Sequence, residues 1–402
     1  MKPYPLNTFL LLLLLLSIGG CKSNGDDEPE EIKPTSLKSF KEEVEVEVLW
    51  TRKLGKGPED RAVKIRPAVV GGRVFAASAD GTVAAMQASS GNLIWEVQIK
   101  DFYDKEELAS AFGKDLDVIT GGVGAGGDLV VVGTASGEVV ALNLSDGSLA
   151  WRIPASSEVL AAPQVDRELV VVQTIDGKVA AYDATTGTRN WLYTTTTPAL
   201  SLRGTATPVL AGEYIIVGFA NGRLAMLDRS KGLAGFDERI AIAEGSSDLE
   251  RLVDIDGNIA IAPDGKLYVA SFQGRLVGID IAAGRLMWSE DSSSVVGVGL
   301  GFGNVYLSHA DSRVTAYDAT NGVTIWDVEA LLHRDITAPI AIGSYVALTD
   351  YQGYVHLLAQ ADGRFVGRRK IDGDGIKSGL VVDSGRIYAL GDGAKLTALE
   401  IR

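Results

Sequence analysis

The chain has 402 residues, 46% of them apolar and 22% charged, with 47 Gly, one Cys and a formal charge of −14. That length fills one large domain or two ordinary ones, and the composition is that of a turn-rich globular protein, not a disordered one. Lys and Arg total 38 against 52 acidic residues, with no basic patch, which argues against nucleic-acid binding and against adhesion to anionic lipid by charge alone.

The chain opens with Lys2 and an apolar core from Thr8 to Ile18 that contains an unbroken Leu run, Leu10 to Leu16. This predicts an export signal over residues 1–20, too short to span a bilayer comfortably. The signal ends in Ile18-Gly19-Gly20-Cys21, which resembles a bacterial lipobox and makes Cys21 the lipid acceptor. The alternative is an ordinary signal peptide followed by a chance Cys. Cys21 is the sole Cys, so its lipidation leaves no thiol for disulfide or metal chemistry. In the lipoprotein sorting rule that this resembles, an Asp after the Cys favours the inner membrane, so Lys22 implies the outer membrane, with the folded part in the periplasm. Residues 21–44 are polar, acidic and poor in large apolar side chains. They predict a flexible tether able to reach roughly 75–80 Å when extended.

From residue 45 onward the chain repeats itself, the pattern to seek before any other. An apolar strand, a short turn, a second strand, a four-residue turn ending in Gly and a third strand carrying Trp recur in copies that begin at 73, 128, 168, 213, 266, 304, 345 and 386. Copy four has Phe236 at the Trp position, copy seven has Gly367, and copy eight stops before its third strand. A period near 40–45 residues with several strands per repeat is that of a propeller blade. A fourth, innermost strand precedes each copy in segments rich in small residues, such as 65–72, 159–166 and 335–343, as crowding around a central axis demands. The tether leads into VEVLWTRKL (46–54), which alternates like a strand, with Trp50 where the repeat Trp falls. The expected fold is therefore all-β: an eight-bladed β-propeller of four-stranded antiparallel blades over 45–402. The N-terminal strand completes the last blade and closes the ring. The turns explain their residues. In YDATTG (182–187) the Asp183 carboxylate can accept from turn N–H groups, and Gly187 can take the left-handed conformation.

The segment AYDATTGTRNW (181–191) matches the tryptophan-docking repeat of quinoprotein-like propellers, which specifies a fold and not an activity. Two long connections depart from the period. Residues 100–117 contain Asp104 and Glu107 at capping-box spacing, which predicts a short helix. Residues 240–258 contain LERLVDIDGN (249–258). Together with TPALSLRGTATP (197–208), that segment resembles the B lipoproteins of the bacterial outer-membrane β-barrel assembly machinery, the BamB family, and the resemblance covers the whole chain. It implies a non-catalytic scaffold without cofactors. Its Leu-x-Leu-Arg and Asp-x-Asp elements, here Leu200, Leu202, Arg203, Asp254 and Asp256, would dock the periplasmic POTRA domains of the central barrel-assembly protein. Other assembly lipoproteins would be indirect partners. A third reading, in which the protein directly holds unfolded outer-membrane proteins by strand-edge pairing, is compatible with the scaffold role. In the docking arrangement Leu200 and Leu202 are apolar anchors and Arg203 is held by Asp254 or Asp256. By spacing alone the same residues also suit a structural role: two core leucines and a satisfied ion pair.

Other chemistry is sparse. His309, His333 and His356 are the only histidines, and their spacing suits no metal triad. The Asp254–Asn258 and Asp372–Gly375 segments lack the full ligand set of a calcium loop. No phosphate loop or nucleophile elbow is placed between strand and helix, and GVGAGG (122–127) falls on an inner strand. The rival function is that of a quinone-dependent dehydrogenase, since it shares the docking repeat. Many such enzymes carry an adjacent Cys pair, which this chain lacks.

Overall fold

The computed structural model describes residues 32–57, 63–110, 116–242, 246–247 and 249–402. The expected signal peptide and Cys21 lie outside the described residues. The strands form eight four-stranded antiparallel sheets. Seven of them take four consecutive strands each, inner to outer, and the eighth joins both ends of the chain in the order Val46–Lys53, Lys395–Ile401, Arg386–Leu390, Val381–Asp383. In that sheet Trp50 pairs with Ala398, so the N-terminal strand is the outer strand of blade eight, as the truncated last repeat predicts. Ring closure leaves no blade incomplete.

The inner strands are short, such as Gln164–Val165 and Ala260–Ile261, and the residues before them crowd the axis. GVGAGG belongs to the long inner strand Ile119–Gly126 of blade two. A side chain at Gly124 would begin 2.1 Å from the Pro163 carbonyl oxygen, so that strand approaches blade three backbone to backbone. The two middle strands of each blade supply most of the core. Phe75, Ile215, Ile216 and Tyr306 are fully buried.

The six Trp residues join neighbouring blades. Each indole donates from Nε1 to a turn carbonyl of the next blade: Trp50 to Ala88, Trp95 to Leu144, Trp151 to Ala184, Trp191 to Arg229, Trp288 to Ala319 and Trp326 to Gln360, at 2.8–3.2 Å. The ring face lies on the Gly of that same turn. A Cβ at Gly91, Gly147, Gly187, Gly232, Gly322 or Gly363 would meet indole carbons at 2.4–2.9 Å. The repeat's Gly and Trp are thus two halves of one inter-blade contact. The turn itself forms as expected: Asp183 accepts from the N–H groups of Thr185 and Thr186, and Gly187 has φ +70°.

The expected helix is present as Lys105–Ser110, with a reciprocal capping box. Asp104 Oδ1 accepts from the Glu107 N–H at 2.7 Å, and Glu107 Oε2 accepts from the Asp104 N–H at 2.9 Å. The stretch expected as tether ends against the propeller. From Thr35 to Glu45 the chain runs along blade seven. Thr35 N–H donates to the Leu332 carbonyl, Phe40 packs on Phe365 at 5.6 Å, Glu43 pairs with Arg364, and the Glu43 and Val44 N–H groups both donate to Val366. Val44 covers Gly367, where the repeat Trp is missing.

Candidate functional site

The connection from blade three to blade four, residues 195–208, forms no regular structure. Leu200 on it is 44% exposed, Arg203 is exposed and Leu202 is half-buried. The connection from blade four to blade five is stitched down along the seam between those blades. The Ile255 N–H donates to the Phe219 carbonyl of blade four, and the Phe272 N–H of blade five donates to the Asp254 carbonyl at 2.7 Å. The Asn258 N–H donates to the Val296 carbonyl ahead of blade six at 2.9 Å. Leu252, Val253, Ile255 and Ile259 are buried. Ile255 occupies the space beside Gly218, where a Cβ would begin 2.3 Å from its methyl group.

The two motifs touch. A side chain at Gly204 would begin 2.4 Å from the Asp256 carboxyl, so only Gly lets residues 200–204 lie across the Asp-x-Asp segment. Leu202, Arg203 and Asp256 line one cavity of about 460 Å³ at the mouth of the central channel. Leu200 does not line it and is exposed. Leu200 and Leu202 are therefore not ordinary core residues.

Arg203 departs from expectation. It pairs with neither Asp254 nor Asp256: its Nη2 donates to Glu158 Oε1 at 2.6 Å. Glu158 lies in the preceding connection, between blades two and three, where its own carbonyl accepts from Ile175 N–H. The pair therefore ties two successive connections together. Sequence reasoning missed Glu158. Its signal is a carboxylate 45 residues upstream of Arg203, one repeat earlier in an equivalent connection.

Asp254 also departs from expectation, because it is fully buried and cannot itself meet a partner. Neither of its carboxyl oxygens has a hydrogen bond of good geometry, and Asp256 Oδ1 has none either. Burial first, and then the neighbouring Asp256 carboxyl, push Asp254 far above the ordinary carboxylate range. The nearby N–H groups of Leu202 and Ile255 offset only part of this. Burial raises Asp256 as well, against the pull of Asp254 and of the Lys64 charge. Two ionised carboxylates offer acceptors only. Burial of two adjacent carboxyls therefore favours keeping a proton on the pair, since each raises the cost of ionising the other.

Around this site sit exposed apolar side chains. Ile175, on the middle turn of blade three, borders a cavity of about 210 Å³ with Ser201, Leu202 and Arg203. Ile242 and Leu249 are exposed on the next connection. Middle turns and outer-to-inner connections emerge at the same end of antiparallel blades, so these residues and Leu200 share one face.

The histidines are structural where they are buried. His309 bonds to Thr315 at 2.9 Å, and His356 to the Asp350 carboxylate at 3.0 Å. Among the described residues, no group of three or more His, Cys, Asp or Glu is arranged to hold a metal ion, and no helix is long and apolar enough to cross a membrane.

The family described as outer membrane protein assembly factor BamB matches residues 46–101 and 98–328. The outer membrane protein assembly factor BamB of Pseudomonas aeruginosa is 41% identical over 393 residues, covering 98% of each chain. The crystal structure of BamB from Moraxella catarrhalis superposes with a TM-score of 0.78 at 29% identity, over 88% of this chain and 99% of that one. A quinohemoprotein alcohol dehydrogenase from Comamonas testosteroni, at 15% identity and a TM-score of 0.67 over 89% of this chain and 76% of its own, shares the propeller fold alone. Matched nearly from end to end by a curated relative, with the propeller of the family in all eight blades, the chain belongs to the outer membrane protein assembly factor BamB family.

Proposed function

We propose that this protein is a non-catalytic scaffold in the assembly of outer-membrane β-barrel proteins. Leu200, Leu202 and Arg203 would dock the POTRA region of the central barrel-assembly protein, over a base formed by Asp254 and Asp256. The observation that carries the reading is the contact between the two motifs. Segments some fifty residues apart form one surface, with an exposed Leu, an exposed Arg and further apolar side chains around a cavity. A rigid ring carrying such a patch on its connections is a binding platform. The roles differ among the five residues. Leu200 and Leu202 supply apolar anchorage and Arg203 presents its remaining donors, while the buried Asp pair fixes the ground on which Gly204 rests. Anchoring through a lipid on Cys21 would hold the propeller at the periplasmic side of the outer membrane.

Titration of variants against the POTRA region tests this, with circular dichroism as the control for fold. Arg203→Ala weakens binding by about thirtyfold, the effect of losing a central anchor of about 2 kcal/mol. Arg203→Glu weakens it further, because the new carboxylate faces Glu158. Lys231→Ala, on the exposed turn before the outer strand of blade four and so at the opposite end of the blade, leaves binding unchanged. A folded Arg203→Glu variant that binds as the parent does returns these residues to a structural role.

A further inference from the structure

The central channel holds a cation that the docking role does not use. Arg66 precedes the inner strand of blade one. Its backbone is fixed by two hydrogen bonds to blade two, Arg66 N–H to the Gly122 carbonyl and Val123 N–H to the Arg66 carbonyl, at 3.0 and 2.8 Å. Its side chain reaches across the axis. The stem passes Gly379 of blade eight, where a Cβ would lie 3.5 Å from the Arg66 Cδ, and Nη1 points to Asn258 Oδ1 ahead of blade five at 3.4 Å. Gly379 has no positive φ, so what its lack of a side chain provides is room for this stem.

The guanidinium is enclosed by protein yet keeps part of its surface on the channel. Two cavities meet at it, one of about 460 Å³ and one of about 300 Å³, both lined by Arg66, Thr207 and Asn258. No carboxylate among the described residues pairs with it, and its one side-chain hydrogen bond is long. Burial alone depresses its affinity for its proton. An Arg has five donors in a planar fork that matches carboxylate and phosphate. Enclosing one without a counter-charge is costly, and a chain with a net charge of −14 has carboxylates to spare for pairing it. Of the other cations that line the larger cavity, Arg203 pairs with Glu158 and Lys377 with Asp392, while Lys64 acts through its charge on Asp256.

We infer that the channel is a binding site for a small oxyanion, a phosphate or a carboxylate group, anchored by Arg66. Asn258, which accepts from Arg66 through Oδ1, keeps its Nδ2 as a second donor, and Thr207 adds a hydroxyl. The combined space suits an ordinary small molecule. The site shares the larger cavity with Leu202, Arg203 and Asp256 of the proposed docking surface, but anion binding is read on the purified protein alone, without the docking partner.

Isothermal titration of the full-length mature protein with inorganic phosphate and, separately, with succinate at matched ionic strength tests the assignment. Saturable binding of at least one of them is expected, and which one binds identifies the source chemistry. Arg66→Gln weakens that binding by about tenfold or more, the loss of a charge-assisted contact. Asn258→Asp sets an internal carboxylate beside Arg66 and abolishes the binding while retaining the Arg, so it carries the test should Arg66→Gln not fold. Absence of saturable binding to either anion in the parent overturns the inference, as does unchanged binding in either folded variant.

Discussion

Six of the eight seams between blades are closed by an indole and two are not, and the two exceptions are closed in different ways. Where blade three meets blade four, Trp191 lies on Gly232 and donates to the Arg229 carbonyl at 2.9 Å. Where blade seven meets blade eight, the repeat position holds Gly367. Blade eight has no turn before its outer strand, because that strand arrives from the N-terminus, so an indole there would have nothing to rest on. The N-terminal segment takes the space instead, with Val44 over Gly367. Where blade four meets blade five, Phe236 replaces the indole and is half-buried, and a Cβ placed on the turn residue Gly284 would find no neighbour within 4 Å. That seam is closed from the channel end by Leu252, Val253, Ile255 and Ile259, the segment that also carries Asp254 and Asp256. Of the two seams that give up the standard lock, this one lies beneath the proposed docking surface, and the segment that closes it carries residues of that proposal.

The sharpest way to break this comparison is to remove a lock. Trp191→Ala deletes a buried ring, its hydrogen bond to Arg229 and its contact with Gly232. The expected loss is about 3–5 kcal/mol, the usual range for a buried aromatic, read by urea denaturation. Phe236→Ala in the exceptional seam costs distinctly less, because that ring is only half-buried and locks no turn. Equal losses at the two positions would mean that Phe236 seals its seam as well as an indole does.

A second test addresses what replaces the lock. The Asp254 carboxyl is raised by burial and by Asp256, whereas an unfolded Asp titrates near about 3.9. A carboxyl raised in the folded state contributes stability that is fully present below the unfolded value and is lost as pH rises through the folded value. Stability from this pair therefore falls from about pH 4 upward. Asp254→Asn keeps the shape, supplies a permanent donor to Asp256 and removes the titration. Stability of the variant and parent should converge near about pH 4 and diverge at about pH 8, with the variant ahead by at least about 1 kcal/mol, the equivalent of roughly one pKa unit. Parallel pH profiles would show that the pair does not keep a proton.

Much of the architecture was legible because the repeat states it. Blade number, closure by residues 46–53 and the helix capped by Asp104 all follow from local periodicity and turn chemistry. What was not legible is long-range and particular to one place. Glu158 as the partner of Arg203 depends on how two connections lie over each other, and no local pattern marks it. Burial of Asp254 could not be read either, because an Asp beside a turn-like Gly257-Asn258 looks solvated. Packing of residues 35–44 escaped for the same reason: a polar, charged segment offers no strand or helix signal, and only Leu37, Phe40 and Val44 among its residues find apolar neighbours.

The smallest expected effect is the most telling about the repeat. Phe236→Trp restores the motif residue in blade four, and by sequence alone it should restore the lock onto blade five. The turn it would meet is built differently. In the locked seams the turn Gly N–H donates to the carbonyl four residues back, as Gly187 does to Asp183 and Gly232 to Asp228. That leaves the next carbonyl, Ala184 or Arg229, to accept the indole. In blade five the Gly284 N–H donates instead to the carbonyl three residues back, Ile281, at 3.2 Å. Ile281 is the very position that corresponds to Ala184 and Arg229. An indole introduced at position 236 would therefore have to share that carbonyl with the Gly284 N–H on a turn of different shape, and gains only some added apolar contact. The change in unfolding free energy should stay within about 1 kcal/mol of the parent, in the range of conservative core exchanges. A gain comparable to the loss in Trp191→Ala would show that the blade-five turn rearranges to accept the ring, and that the lock is specified by Trp alone and not by Trp and turn together.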